Sequence, residues 1–187
     1  MTKRQATKLV SALISIIILL IVFGYQAITN PPIPESPVQP GYYRVTEVAD
    51  GDTFTVDMNG ASERIRLIGV DTPETHHPSS PVQCFGPEAS EFTKRTVEGK
   101  PVRLEADPIG NNRDRYNRLL RYVYLTDGTL LNQKLITEGY GFAYLSFQFQ
   151  KQADFAASQA DAQDAKRGLW AVCQPKLNDG RWRSNDL

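Results

Sequence analysis

Cysteine, histidine, tryptophan and methionine occur only twice each in the 187 residues. The histidines are adjacent, His76-His77, and neighbours in a loop rarely point at one ion. Neither they nor Cys84 and Cys173 have the spacing of a zinc finger, an HExxH metal site or a redox Cys-x-x-Cys pair. Excess basic charge is lacking too: 21 Lys and Arg balance 21 Asp and Glu. Lys3, Arg4, Lys8 and Glu35 lie in the first forty residues, so the remainder carries 18 basic and 20 acidic residues, a net of −2. A stoichiometric nucleic-acid binder is usually basic, so any contact with nucleic acid is expected at a local patch, as in a turnover enzyme. No internal repeat is present. At 41% hydrophobic and 22% charged residues, the composition excludes both disorder and a fibrous fold.

Charge is absent altogether from Leu9 to Gly24, a run dominated by Leu, Ile and Val. Extended through Ile28, it gives about 20 apolar residues, enough to span a bilayer core. Lys3, Arg4 and Lys8 precede it, and no Lys or Arg follows before Arg44. The positive-inside rule then puts the N-terminus in the cytoplasm and the rest outside. A retained anchor and a cleaved secretory signal both give that compartment. Tyr25-Gln26-Ala27 is a poor cleavage site, which favours the anchor. Residues 29–40 contain five prolines and read as a semi-rigid spacer. The expected organisation is a transmembrane segment over 1–28, a linker over 29–40 and a folded domain over 41–187. An even cysteine count in an exported domain suggests a Cys84–Cys173 disulfide.

Within the domain, alternation and β-forming residues predict strands over Tyr43–Val48, Thr53–Met58 and Glu63–Val70, with Asn59-Gly60 as a hairpin turn. In the third strand, Ile65, Leu67 and Gly69 fall on one face, with Arg64, Arg66 and Ile68 on the other. A helix is predicted from Pro87 to Glu98, then strands over Pro101–Ala106 and Arg118–Leu125. Two more helices follow, over Leu130–Glu138 and Lys151–Arg167. Five short strands with interspersed helices suggest an α+β domain built on a small five-stranded OB-type barrel with three helices.

Three polar clusters stand out. Asp50-Gly51-Asp52-Thr53 is either a hairpin turn or a set of oxygen donors, and its spacing is not that of an EF-hand. Asp71-Thr72-Pro73-Glu74 follows the third strand. Its two carboxylates read as an N-cap and a loop charge, or as hard ligands for calcium. Arg113-Asp114-Arg115-Tyr116-Asn117-Arg118 is a solvated loop, or a group of guanidinium forks matched to phosphate oxygens.

Taken together, Asp50-Gly51-Asp52-Thr53, Arg66 through Glu74, Phe85-Gly86-Pro87-Glu88-Ala89-Ser90, Asp114-Arg115-Tyr116-Asn117-Arg118 and Gly168-Leu169-Trp170 resemble the staphylococcal nuclease (thermonuclease) family in order and spacing, over Tyr43 to Trp170. The resemblance implies calcium held by Asp52, Asp71 and the Thr72 carbonyl. It implies Glu74 as the residue that orients or deprotonates the attacking water, and Arg66 and Arg118 as the phosphate grip. Tyr116 and Tyr144 match positions that pack around the substrate. The implied reaction is hydrolysis of DNA and RNA to 3′-phosphate ends. With the charge pattern of the N-terminus, the expected protein is a monomeric enzyme acting outside the cytoplasm, tethered by the N-terminal segment or secreted. Two departures stand out: Asn117 replaces a common glycine, and a second tyrosine after Tyr144 has no counterpart, with Ser146 and Phe147 nearby. Phe142, Phe147, Phe149 and Phe155 read as core and lid. The competing reading is a non-catalytic OB-type binding module at the cell surface, because fold does not fix function.

Overall fold

The computed structural model describes residues 14–20, 41–75 and 81–187. The chain divides into two compact units, Met1–Pro37 and Val38–Leu187. In the first, residues 14–20 are helical with every side chain exposed. The rest of the expected span Leu9–Ile28, the linker and His76-His77 lie outside the described residues. Among the described residues no helix is long and apolar enough to cross a membrane.

The second unit opens with a meander: β1 (Tyr42–Asp50), β2 (Thr53–Met58) and β3 (Ala61–Leu67). Asn59 and Gly60 both take positive φ, and Met58 pairs with Ala61. This two-residue turn matches the twist of the flanking strands. After a two-residue β4 (Val70–Asp71) come α1 (Gly86–Val97), β5 (Pro101–Glu105) and β6 (Leu119–Tyr124). The strands close in the order β1-β2-β3-β6-β5, with β3 and β6 parallel and every other neighbouring pair antiparallel. Val45, Phe54, Val56, Ile65, Leu67, Val102 and Val123 fill the interior. The five-stranded OB-like barrel of the sequence reading is present.

Beyond β6 lie α2 (Leu131–Thr137), β7 (Phe142–Ala143), α3 (Gln152–Asp164), a one-turn α4 (Leu169–Val172) and a hairpin of β8 (Lys176–Asn178) and β9 (Arg181–Arg183). Helix α3 buries Phe155, Ser158, Gln159 and Ala162, one face of its turns. Asn132 on α2 is fully buried. It receives the Val123 N–H and donates to the carbonyls of Ile68 and Arg121, which ties α2 to the barrel wall.

The third strand is shorter than expected and changes direction. It ends at Leu67, because Gly69 adopts φ +69. A Cβ there would lie 2.6 Å from Phe149 Cζ, so the turn needs glycine in both conformation and space. The break re-aims the chain. Ile68, expected on the arginine face, is buried with Ile65 and Leu67. Val70-Asp71 pairs with β7 instead of the barrel.

Candidate active site

The barrel's polar cleft, about 1150 Å³, is formed where β1 turns into β2, where β4 leaves the barrel, by the loop before β6 and by the C-terminal hairpin. Asp52 starts β2's approach and is almost fully buried, at 7% exposure. Its Oδ1 accepts from the Thr53 hydroxyl at 2.9 Å. Its Oδ2 accepts from the Thr72 N–H at 3.1 Å and is ion-paired with Arg66 Nη2 at 3.0 Å. Asp52 therefore fixes the start of the loop after β4, 20 residues away in the chain. Asp71 is equally buried, at 8% exposure. Arg66 reaches it more loosely, at 3.5 Å, while donating to the carbonyls of Leu67 and Val70. The two acids and Arg66 are thus brought together by the β3–β4 bend.

Asp50 adds a third carboxylate beside them. It accepts from Gly51 N–H and the Thr75 hydroxyl. Burial, and after it the charges of Asp52 and Glu74, push its pKa up to about 7. Acids that repel one another in a partly buried site are relieved by a positive charge among them. Asp52 and Asp71 supply buried carboxylate oxygens, hard donors of the type calcium takes. Among the described residues no group of three or more Asp, Glu, His or Cys side chains is arranged to hold a metal ion.

Glu74 is half-buried on the cleft wall. Its backbone is gripped twice by Gln83: Glu74 N–H donates to Gln83 Oε1 at 3.0 Å, and Gln83 N–H donates to the Glu74 carbonyl at 2.9 Å. Helix α1 abuts the same carbonyl. A Cβ on Gly86 would sit 2.6 Å from it. Among the described residues no donor hydrogen-bonds the Glu74 carboxylate, which leaves both oxygens for other partners.

On the opposite wall, the loop before β6 is organised by Asp114. Its Oδ1 accepts the N–H groups of Tyr116 and Arg118, and its Oδ2 accepts Arg118 Nε at 2.7 Å. Arg118 Nη1 reaches the Thr53 hydroxyl at 3.3 Å, beside Asp52. Asn117 takes φ +63, the left-handed conformation that glycine would adopt without strain. Tyr116 is 64% exposed on the rim, and the Arg118 guanidinium lies 5.3 Å from its ring centre. Tyr144 and Phe147 line the cleft with ring centres 5.5 Å apart, so an aromatic surface persists where the second tyrosine is missing. Phe142, Phe149 and Phe155 are core residues.

Asp52, Arg66, Asp71, Thr72, Glu74, Tyr116, Arg118 and Tyr144 all line this one cleft. The family model described as staphylococcal nuclease homologue matches residues 64–172. The chain belongs to the staphylococcal nuclease family. It is 38% identical to the thermonuclease of Staphylococcus hyicus over 172 residues, 90% of this chain and 99% of that protein. It is 50% identical to the thermonuclease of Staphylococcus intermedius over 97 residues, 52% and 56% of the two chains. Similarity to endonuclease YncB of Bacillus subtilis reaches 38% over 133 residues, 70% of this chain and 62% of that one.

The family match stops at Val172, but the cleft does not. Cys173 is joined to Cys84 in a disulfide with Cα atoms 5.9 Å apart. Past it, the β8–β9 hairpin turns on Asp179-Gly180, both at positive φ, and Trp182 packs edge-on against Trp170. The hairpin places Arg181 on Asp71: Nε donates to Oδ2 at 2.7 Å and Nη2 to Oδ1 at 2.6 Å. The residues after it run along the Glu74 support, with the Cys84 N–H donating to the Asn185 carbonyl and the Leu187 N–H to the Val82 carbonyl. Sequence reasoning missed Arg181, 110 residues from its partner. The Asn178-Asp179-Gly180 turn between Leu177 and Trp182 was the available signal.

Proposed function

We propose that this chain is a calcium-dependent phosphodiesterase that hydrolyses DNA and RNA outside the cytoplasm, leaving 3′-phosphate ends. The observation that carries this reading is the meeting of Asp52, Asp71 and Glu74 with Arg66 and Arg118 in one cleft. A binding module has no need of mutually repelling buried acids beside phosphate-matching arginines.

Asp52, Asp71 and the Thr72 carbonyl would hold the calcium ion. Bound there, the ion supplies charge neutralisation for a phosphodiester and for the extra charge of its transition state. Glu74, with its backbone clamped by Gln83 and its carboxylate open to the cleft, accepts a proton from the attacking water. A positioned base of this kind is typically worth 10²–10⁴-fold in rate. Arg118 offers a guanidinium aimed from the opposite wall by Asp114, and Arg66 balances the acids from below. Exposed Tyr116 and half-buried Tyr144 line the cleft with rings that suit contact with a base or terminal phosphate.

The domain would be carried outward by the uncharged segment at the N-terminus, as a membrane-tethered or secreted monomer. The Cys84–Cys173 disulfide supports an oxidising compartment. The decisive test incubates the full-length protein with single-stranded DNA and with RNA, in calcium or in excess chelator. Cleavage of both polymers only with calcium is expected. Equal cleavage in chelator would remove the metal from the reading, and no cleavage with any divalent ion would favour the binding module.

A further inference from the structure

We propose that Arg181 is a third arginine of the active site, a resident counter-cation that shares Asp71 with the divalent ion and so sets the ion's affinity. This rests on the reading of Asp52 and Asp71 as calcium ligands. The hairpin that carries Arg181 lies beyond the residues matched by the family model, and neither the motifs nor the relatives assign it a role.

The geometry is specific. Arg181 engages both oxygens of Asp71, at 2.6 and 2.7 Å, as a planar fork meeting a carboxylate. Arg66 touches the same carboxylate at only 3.5 Å, so Arg181 is its principal partner. The guanidinium also lies 4.9 Å from the Tyr144 ring centre, which gives it a second resting surface facing the cleft. The contact is built from three directions. Trp182 anchors the hairpin on Trp170, the disulfide fixes the chain just before it, and residues Asn185–Leu187 are pinned along Val82–Cys84. An adventitious surface ion pair has no such scaffold.

A single positive charge on both oxygens of a metal ligand opposes a divalent ion at that ligand. Two sites that share one carboxylate are thermodynamically coupled, and the coupling is reciprocal. Calcium must loosen Arg181 from Asp71, and Arg181 must weaken calcium. Arg181 thus acts as a positioning residue through Asp71: it neutralises that acid when the ion is scarce and is released toward Tyr144 as the ion binds.

The test uses calcium alone as the probe. Calcium affinity of the full-length protein is measured by calorimetry for the wild type, Arg181→Met and Arg181→Lys, without nucleic acid. Methionine keeps the apolar stem and removes the charge. It should tighten calcium binding about tenfold, a typical coupling between linked sites, whereas lysine should stay within about threefold of the wild type. The reciprocal effect is read in the unmutated protein by hydrogen exchange. Saturating calcium should speed exchange of the 176–183 amides, and in Arg181→Met it should leave them unchanged. Unchanged or weaker calcium binding in Arg181→Met overturns this inference alone. No calcium binding in any of the three overturns the calcium reading and this inference with it.

Discussion

On the proposed reading, Arg118 is the side chain on which turnover should depend most. Its Nε is committed to Asp114 at 2.7 Å, while Nη1 faces Thr53 and the cleft. A lysine has one ammonium and cannot both hold Asp114 and donate a parallel pair of bonds to a phosphoryl group. Hydrogen bonds to charged groups contribute about 1.5–3 kcal/mol, so Arg118→Lys should lower kcat about ten- to a few-hundredfold with little change in KM. Arg103→Lys, which alters a surface pair with Glu105, serves as the control and should retain full activity. Steady-state kinetics on a short oligonucleotide would check this, and equal losses in both variants would mean that Arg118 is not the gripping residue. Asp50 gives a second residue-scale expectation. Its folded pKa, about 7, lies above its ordinary 3.8 because of burial first and the Asp52 charge second. The folded state therefore binds this proton more tightly than the unfolded one. That stabilisation is fully present below pH 3.8 and is lost as pH rises through 7. In chelator, denaturant unfolding at pH 5 and pH 8 should show the wild type losing more stability on the way up than Asp50→Asn. Parallel pH dependence in the two proteins would show that Asp50 ionises without penalty.

At the scale of elements, what positions Glu74, the proposed general base, is the seat of α1. Gly86 lets the helix start pass within contact of the Glu74 carbonyl, and Gln83 closes the clamp from the same segment. Gly86→Ala should keep the fold but push Glu74 off its seat. A misplacement of about 1 Å can cost up to about a hundredfold, so a loss of kcat of about ten- to a hundredfold is expected at unchanged circular dichroism. Wild-type turnover would show that the helix does not aim Glu74. Elements differed in how plainly the sequence announced them. The β1–β3 meander was legible because alternation and Asn59-Gly60 act locally, and α1 because Pro87 and Gly99 bracket an apolar face. The end of β3 was not, because Ile68 continues the β-forming run and only the tertiary approach of Phe149 to Gly69 decides the break. The β8–β9 hairpin was hidden for another reason. Three-residue strands carry too little periodicity, and the chain beside the hairpin is tied to Cys84, 89 residues from Cys173. Most of the candidate site could be read from family-ordered motifs. Arg181 could not, since its meaning lies entirely in a partner 110 residues distant.

At the scale of the whole molecule, the apolar N-terminal segment gives an expectation about address. Lys3, Arg4 and Lys8 before Leu9–Ile28, with no basic residue until Arg44, lead us to expect the domain on the far side of the membrane. Protease added to intact cells should remove it. A protected, soluble domain in the cytoplasm would overturn the topology. The barrel's closure carries one more consequence, for the order of synthesis. Strand β3 finds its parallel neighbour only in β6, so Ile65 waits for Leu119 and Arg66 for Leu120. Asp52, Asp71 and Glu74 leave the ribosome well before Arg118, and Arg181 comes almost last. A nascent chain thus carries the acids before any closed wall holds them and before the opposing guanidinium exists. Until β6 is made, the growing polypeptide has no assembled cleft.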